Sequence, residues 1–222
     1  MVAADGTPVE SWPARTTMHE TALRIMDAAV DLFQERGFRQ TSVRDITSAC
    51  GLTQGALYIY FPSKEMLLAK IIEYGNSILE DRTRRTINEQ TNRSQPQVLC
   101  AMVHSYVWYV TEHQKLARVA NYFWNDLPEK EREIARSVRA HVTNRFERII
   151  ASGVADGSFK PLGCAETKLL VYGLITMMNG IMDWYRPGGR LDTRRISEHF
   201  QELALRLVGL GDQDGVISLV AS

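Results

Sequence analysis

Between Ser42 and Lys64 the chain reads SVRDITSACGLTQGALYIYFPSK. Among these residues are the hydroxyls of Ser42, Thr53, Tyr58 and Tyr60, the carboxamide of Gln54, the cations Arg44 and Lys64, and Gly55. Hydroxyls and cations grip phosphate oxygens, and a carboxamide can form a two-point pair with an adenine edge. A glycine lets its backbone come close to a partner. This is binding chemistry, and short helices are what must present it.

The local signals supply those helices. Ser42 is an N-cap with Asp45 three residues on, close to a capping box. Val43, Ile46 and Ala49 recur at helical spacing. Cys50-Gly51-Leu52 breaks the pattern, and Gly51 suits a left-handed turn. Thr53 caps a second helix, Gln54 to Phe61, which Pro62 stops, and Ser63 caps the next. Two short helices around a glycine-containing turn form a helix-turn-helix, whose second helix enters the major groove of DNA.

The composition neither announces nor opposes this. Formal net charge over the 222 residues is zero. From Arg36 to Lys70, five basic residues face two acidic ones, a modest basic footprint. Cys50, Cys100 and Cys164 show no paired spacing, and the histidines do not cluster with them, so reduced thiols and no zinc are expected. There is neither a leader-like start nor an apolar run of about 20 residues, and a cytoplasmic protein is expected.

Residues 1–17 carry Gly6, Pro8 and Pro13 without periodicity and read as a disordered tail. Ala22, Ile25, Met26, Ala29, Leu32 and Phe33 mark one face of a helix from Met18 to Arg36, ended by Gly37. Ile25, Phe33, Val43, Ile46, Leu57 and Phe61 can share a small core. A long helix follows from Lys64 to about Arg85, and the polar loop Asn88 to Pro96 is the candidate boundary. The rest reads as helix throughout. The expected division is a DNA-binding domain over 18–63 and a helical regulatory domain over 64–212. The predicted fold class is all-α.

An amphipathic helix ending in Gly-Phe, then TSVRDIT, then GLTQGALYIYFPSKE opening a long helix, resembles the TetR family of bacterial transcriptional repressors. The resemblance covers about Leu23 to Ile72, and the spacing of Gly51, Gly55, Leu57, Tyr58, Phe61 and Lys64 carries it. It implies a homodimer on a palindromic operator and a small inducer in the regulatory domain. It sets Thr53, Gln54 and Gly55 at the start of the recognition helix, with Tyr58 and Tyr60 toward phosphates and Ser42 and Lys64 at helix starts that grip them. Arg44 can reach a guanine or a phosphate. Ile59 departs from the family pattern, where histidine or tyrosine is frequent. DWYRPGG, Asp183 to Gly189, is similar to the end of the penultimate helix in TetR-like repressors of lipid and steroid catabolism, which respond to acyl-CoA thioesters.

A ligand pocket in a helical domain is mostly apolar with a few polar groups. Tyr106, Trp108, Tyr109, Trp124, Phe146, Met177 and Met178 are candidates for its walls, and Asn179 for orientation. The resemblance implies a dimer through the last two helices, with Leu174, Ile181, Trp184, Phe200, Leu203 and Leu207 as interface candidates. Partners are thus operator DNA, a small hydrophobic ligand and a second copy, with no cofactor and no membrane. The competing readings are an enzyme and a dimeric DNA binder with no inducer. No ordered nucleophile–base set, glycine-rich phosphate loop or Glu-x-x-His pair favours the enzyme.

Overall fold

The computed structural model describes residues 19–90, 92–160 and 166–210. The expectations for the tail 1–17, for Cys164 and for residues 211–212 lie outside them. Among the described residues there are nine α-helices and no strand. They are α1 Glu20–Arg36, α2 Val43–Ala49, α3 Gln54–Tyr60, α4 Lys64–Glu89, α5 Gln95–Glu112, α6 Gln114–Tyr122, α7 Glu129–Ala155, α8 Thr167–Trp184 and α9 Thr193–Leu207. A short 3-10 turn, Trp124–Asp126, follows α6. No described helix is long and apolar enough to cross a membrane.

The chain packs as two compact units that interleave in sequence. One holds the residues up to Ile78 together with His113–Val138. The other holds Leu79–Glu112 and the residues from Arg139 onward. Both α4 and α7 are therefore shared, and α6 belongs with the first three helices rather than with the C-terminal ones.

In the first unit, α1 buries Ile25, Met26, Ala29 and Phe33 on one stripe, as its spacing predicts. Phe38 turns back beneath it, edge-on to Phe33 with ring centroids 5.2 Å apart. Ile46, Leu57, Phe61, Leu67 and Leu68 complete this core. α6 lies along α1. Two exposed ion pairs flank that contact, Lys115 to Asp31 at 2.6 Å and Arg39 to Asp126 at 2.9 Å.

In the second unit, α5 is buried almost all round and packs against α8 and α9. α9 turns Ile196, Phe200 and Ala204 inward. Its polar residues at the same contact are paired. Ser197 meets His104 at 3.0 Å, and the Thr193 hydroxyl lies 3.0 Å from those of Thr111. α4 runs past its polar stretch, Asp81 to Arg85, because tertiary partners compensate. Thr86 bonds Ser105 at 2.7 Å, and Arg82 lies over the Trp108 ring at 3.8 Å. α5 starts at Gln95, where Ser94 and Gln97 close a cap: the Ser94 backbone N–H donates to Gln97 Oε1 at 3.1 Å.

The strongest polar link in this unit is Arg145 on Glu80. Both guanidinium nitrogens donate to the carboxylate at 2.6 Å, and Nη1 also reaches the Thr83 hydroxyl at 3.2 Å. Both side chains are mostly buried. The Arg145 hydrogen bonds hold the Glu80 carboxyl below its ordinary value of 4.5, against the opposing effect of burial. A depressed folded-state pKa stabilises above the unfolded value, and the gain is lost as pH falls through the folded one. Glu80→Gln should cost about 1–3 kcal/mol at pH 7. Its melting temperature should converge on that of the wild type as pH drops below 4.5. Thermal melts of both proteins across pH 3 to 8 check this.

Candidate nucleic-acid interface

The sequence builds the helix-turn-helix from its caps. Thr41 Oγ1 donates to the Gly37 carbonyl at 2.9 Å and closes the end of α1. Ser42 and Asp45 make the full capping box. Ser42 Oγ accepts from the Asp45 N–H at 3.1 Å, and Asp45 Oδ2 accepts from the Ser42 N–H at 2.8 Å and from its hydroxyl at 2.6 Å. These bonds lower the Asp45 pKa, so the box stays closed at neutral pH.

α2 ends in a Schellman turn. Leu52 N–H donates to Thr47 O at 2.8 Å and Gly51 N–H to Ser48 O at 3.1 Å, with Gly51 at φ 65°. A β-carbon is disfavoured there. Arg24 fixes the turn from α1, donating to the Cys50 carbonyl at 2.7 Å. Thr53 Oγ1 then accepts from the Ala56 N–H at 3.3 Å and starts α3.

α3 has only seven residues, too few to hold a helix in water unaided. Leu57 is the one buried residue among them, and Phe61 is buried just beyond its end. The outer face is open. Thr53, Gln54 and Gly55 are exposed, and Tyr58 and Ile59 are 51% and 78% exposed. Arg44 is exposed on α2. This face can offer hydroxyls, a carboxamide, an apolar side chain and a guanidinium to a DNA groove. Gly55 has no positive φ, and a β-carbon there would meet nothing closer than Thr53 Oγ1 at 3.9 Å. The fold itself therefore does not require glycine, although glycine costs a helix about 1 kcal/mol relative to alanine. Close approach by a partner is the remaining physical reason for it.

Two expected phosphate contacts have partners within the chain. Lys64 Nζ donates to the carbonyls of Phe38 and Thr41, both at 2.9 Å, and sits 4.2 Å from the centroid of the Phe38 ring. Its charge holds the α1–α2 connection in place with two of its three N–H groups. The Tyr60 hydroxyl lies 3.0 Å from His19 Nδ1, which also accepts from the Thr21 N–H, so the tyrosine is the donor. These partners lie 23 to 41 residues away, and no local pattern announces them. Ser42 remains at the exposed start of α2, its hydroxyl engaged in the cap.

The residues proposed for a ligand divide. Tyr106, Tyr109, Phe146 and Met178 are buried in the second unit, and Asn179 is half-buried. The Tyr106 hydroxyl donates to Asn179 Oδ1 at 2.8 Å, and its ring meets Phe146 edge-on at 6.4 Å. Burial pushes the Tyr106 phenol up to about 12 and also raises that of Tyr109. Sequence reasoning missed Arg139, whose charge acts on both phenols and whose own pKa is lowered by burial. The signal was available: Arg139, Val142, Phe146 and Ile149 fall on one helical face, which puts a cation at a core position. Trp108 turns away toward Arg82. Trp124 stands half-buried in the 3-10 turn of the first unit, and Met177 is 39% exposed. Those three do not join the cluster.

The dimer candidates need correction too. Leu174, Ile181 and Phe200 are buried in the chain's own core and cannot face a partner. Leu203 and Leu207 are half-buried, and Trp184 is 46% exposed. The outer face of α8 carries an apolar stripe: Leu169, Tyr172, Met177 and Trp184 are all exposed. Gly173 and Gly180 lie on the same face, and neither has an atom within 4 Å of where a β-carbon would be.

Comparison with known proteins agrees with this architecture. The model of bacterial regulatory proteins of the tetR family matches residues 25–71, and that of the tetracyclin repressor-like C-terminal domain matches residues 92–208. The HTH-type transcriptional repressor KstR2 of Mycolicibacterium smegmatis is 26% identical over 198 residues, covering 86% of this chain and 91% of that protein. A regulatory protein in the tetR family from Rhodococcus RHA1 superposes with a TM-score of 0.81 at 27% identity, over 88% of this chain and all of that one. AibR, solved with isovaleryl coenzyme A and operator DNA, shares the fold at a TM-score of 0.73 and 22% identity, over 85% and 98% of the two chains.

The division between a reading face and the residues that hold it is testable. Gly55→Ala should leave thermal stability unchanged or raise it by up to about 1 kcal/mol, yet weaken binding to duplex DNA tenfold or more. Lys64→Met should lower the melting temperature by several degrees and leave the salt slope of DNA binding unchanged. Loss of a true phosphate contact would reduce that slope by about 1. Thermal melts and affinity titrations from 50 to 300 mM salt measure both.

Proposed function

Because the chain belongs to the TetR family of bacterial regulators, we propose that it is a cytoplasmic transcriptional repressor that binds a palindromic operator as a homodimer. A small hydrophobic inducer, an acyl-CoA thioester in the first instance, releases it. The observation that carries the DNA-reading part is the open face of α3, with Gln54, Gly55 and Tyr58 exposed beside a fold that leaves them unused. Thr53 and Arg44 stand at its edge as phosphate contacts. Gln54 reads adenine, and Ile59, the most exposed large apolar side chain among the described residues, meets a thymine methyl group.

The dimer forms through the outer face of α8. Leu169, Tyr172, Met177 and Trp184 supply the apolar stripe, and Gly173 and Gly180 let the partner helix come close. Leu203 and Leu207 of α9 border it. A two-fold axis there pairs the patch with itself, and successive major grooves demand that the dimer's two α3 helices stand one turn, about 34 Å, apart. A ligand shifts that equilibrium only by binding the two arrangements unequally.

The inducer's reactive end is assigned to the polar group inside the second unit. A thioester or carboxyl oxygen can accept from Tyr109 and lie near Arg139, with its hydrocarbon on Phe146, Met178 and the Tyr106 ring. Asn179 holds the Tyr106 hydroxyl in place. The thioester is preferred because AibR, a structural relative, was solved with isovaleryl coenzyme A.

An operator selected from a random duplex pool and a panel of acyl-CoAs test the reading. At least one thioester should release the operator at micromolar concentration, and Tyr109→Phe should raise the concentration required about tenfold. If no acyl-CoA or lipophile releases DNA or raises the melting temperature, induction by a ligand is wrong. Met177→Glu should yield a monomer by light scattering and weaken operator binding at least 100-fold.

A further inference from the structure

A second site is built into the opposite chemistry, charged rather than aromatic. In the second unit, the end of α4, the first turn of α5 and the middle of α7 enclose a cleft of about 570 Å³, within the ~300–1,000 Å³ usual for small-molecule sites. Arg84, Arg93, Arg145 and Arg148 line it, with Ile87 and Ile149 among its apolar residues. Among the described residues no carboxylate lines it.

The four guanidinium groups are not equivalent. Arg145 is held by Glu80 and Arg84 by Asp81, at 2.6 and 2.8 Å. These two are fixed walls whose charge is partly neutralised. Arg93 and Arg148 form no ion pair among the described residues, and both are exposed. Arg148 Nε makes only a long bond, 3.3 Å, to the Asn144 carbonyl. Gln95, the first residue of the 18-residue α5, also lines the cleft, so the positive end of that helix adds to the same field. Arginine at a concave site free of carboxylates suits the bidentate recognition of phosphate. The isoleucines give an organic body a surface that a simple ion would not use.

We propose that this cleft binds a phosphate-bearing organic anion, its phosphates on Arg93 and Arg148 and its apolar or aromatic body against Ile87 and Ile149. Such a ligand is the nucleotide head of a coenzyme A thioester or a free nucleotide. The lining residues differ from those assigned to the inducer's reactive end, and the test reads binding rather than operator release. Induction by thioesters can therefore fail while this site stands, and the reverse.

The experiment titrates coenzyme A, ADP and inorganic pyrophosphate into the full-length wild type and into Arg93→Glu and Arg148→Glu, by calorimetry at 50 and 300 mM salt. Neither variant removes a partner from another side chain, unlike a change at Arg145. Coenzyme A should bind the wild type saturably, more weakly at high salt, and each charge reversal should cost tenfold or more. ADP binding as tightly as coenzyme A supports the site with a free nucleotide as its source. Coenzyme A binding without ADP supports it with the thioester head as the source. Pyrophosphate binding as tightly as either overturns the role given to the isoleucine surface. Unchanged affinity in both variants, or no saturable binding by any of the three probes, overturns the site.

Discussion

The ammonium group of Lys64 on the carbonyls of Phe38 and Thr41 is the constraint on which the reading head depends. Lys64 is the first residue of α4, and Thr41 immediately precedes the N-cap of α2. One side chain thus ties the start of the long helix to the entry of the helix-turn-helix. α3 lies between the two tied points, anchored beneath by Leu57 and Phe61. A seven-residue helix has no stability to spare, so its orientation is that of its anchors. Tyr60 on His19 fixes its far end to α1. What remains free is the face carrying Gln54, Gly55, Tyr58 and Ile59.

Much of this was legible in the sequence because it is local. Ser42, Asp45, Gly51, Thr53 and Ser63 each act within a few residues, and the caps form where their chemistry predicts. The core of the first unit follows from helical spacing in the same way. The partners of Lys64 and Tyr60 were not legible, because a cation or a phenol beside a DNA-reading helix suits phosphate equally well, and the carbonyls and the His19 ring that they meet lie far away in sequence. α8 was misread for a different reason. It is apolar on most sides, so periodicity cannot tell the face that meets α5 from the face left open. Leu174 and Ile181 went inward, and Leu169, Tyr172 and Met177 outward. The arginine cleft draws on three segments as far apart as Arg84 and Ser152, and no motif links them.

The second unit combines two unlike environments. Its interior puts Tyr106, Tyr109, Asn179 and Arg139 among apolar side chains, where an unsatisfied polar group costs several kcal/mol and a well-placed ligand oxygen gains correspondingly. Its cleft presents guanidinium groups with no lining carboxylate to offset them. α4 contributes residues to both units, so a ligand that alters its C-terminal part acts on the same helix that carries Lys64.

The central claim is that two copies of the α3 face enter successive major grooves while Lys64 and Tyr60 hold them. Site-specific photocrosslinking tests it most directly, with a benzophenone amino acid at Ile59 or, as a control, at Glu35 on α1, in complex with a selected operator duplex. The account predicts crosslinks from Ile59 to bases in two clusters about one helical turn apart, roughly 10 base pairs, and none from Glu35. A single cluster, or crosslinking as strong from Glu35 as from Ile59, would contradict it.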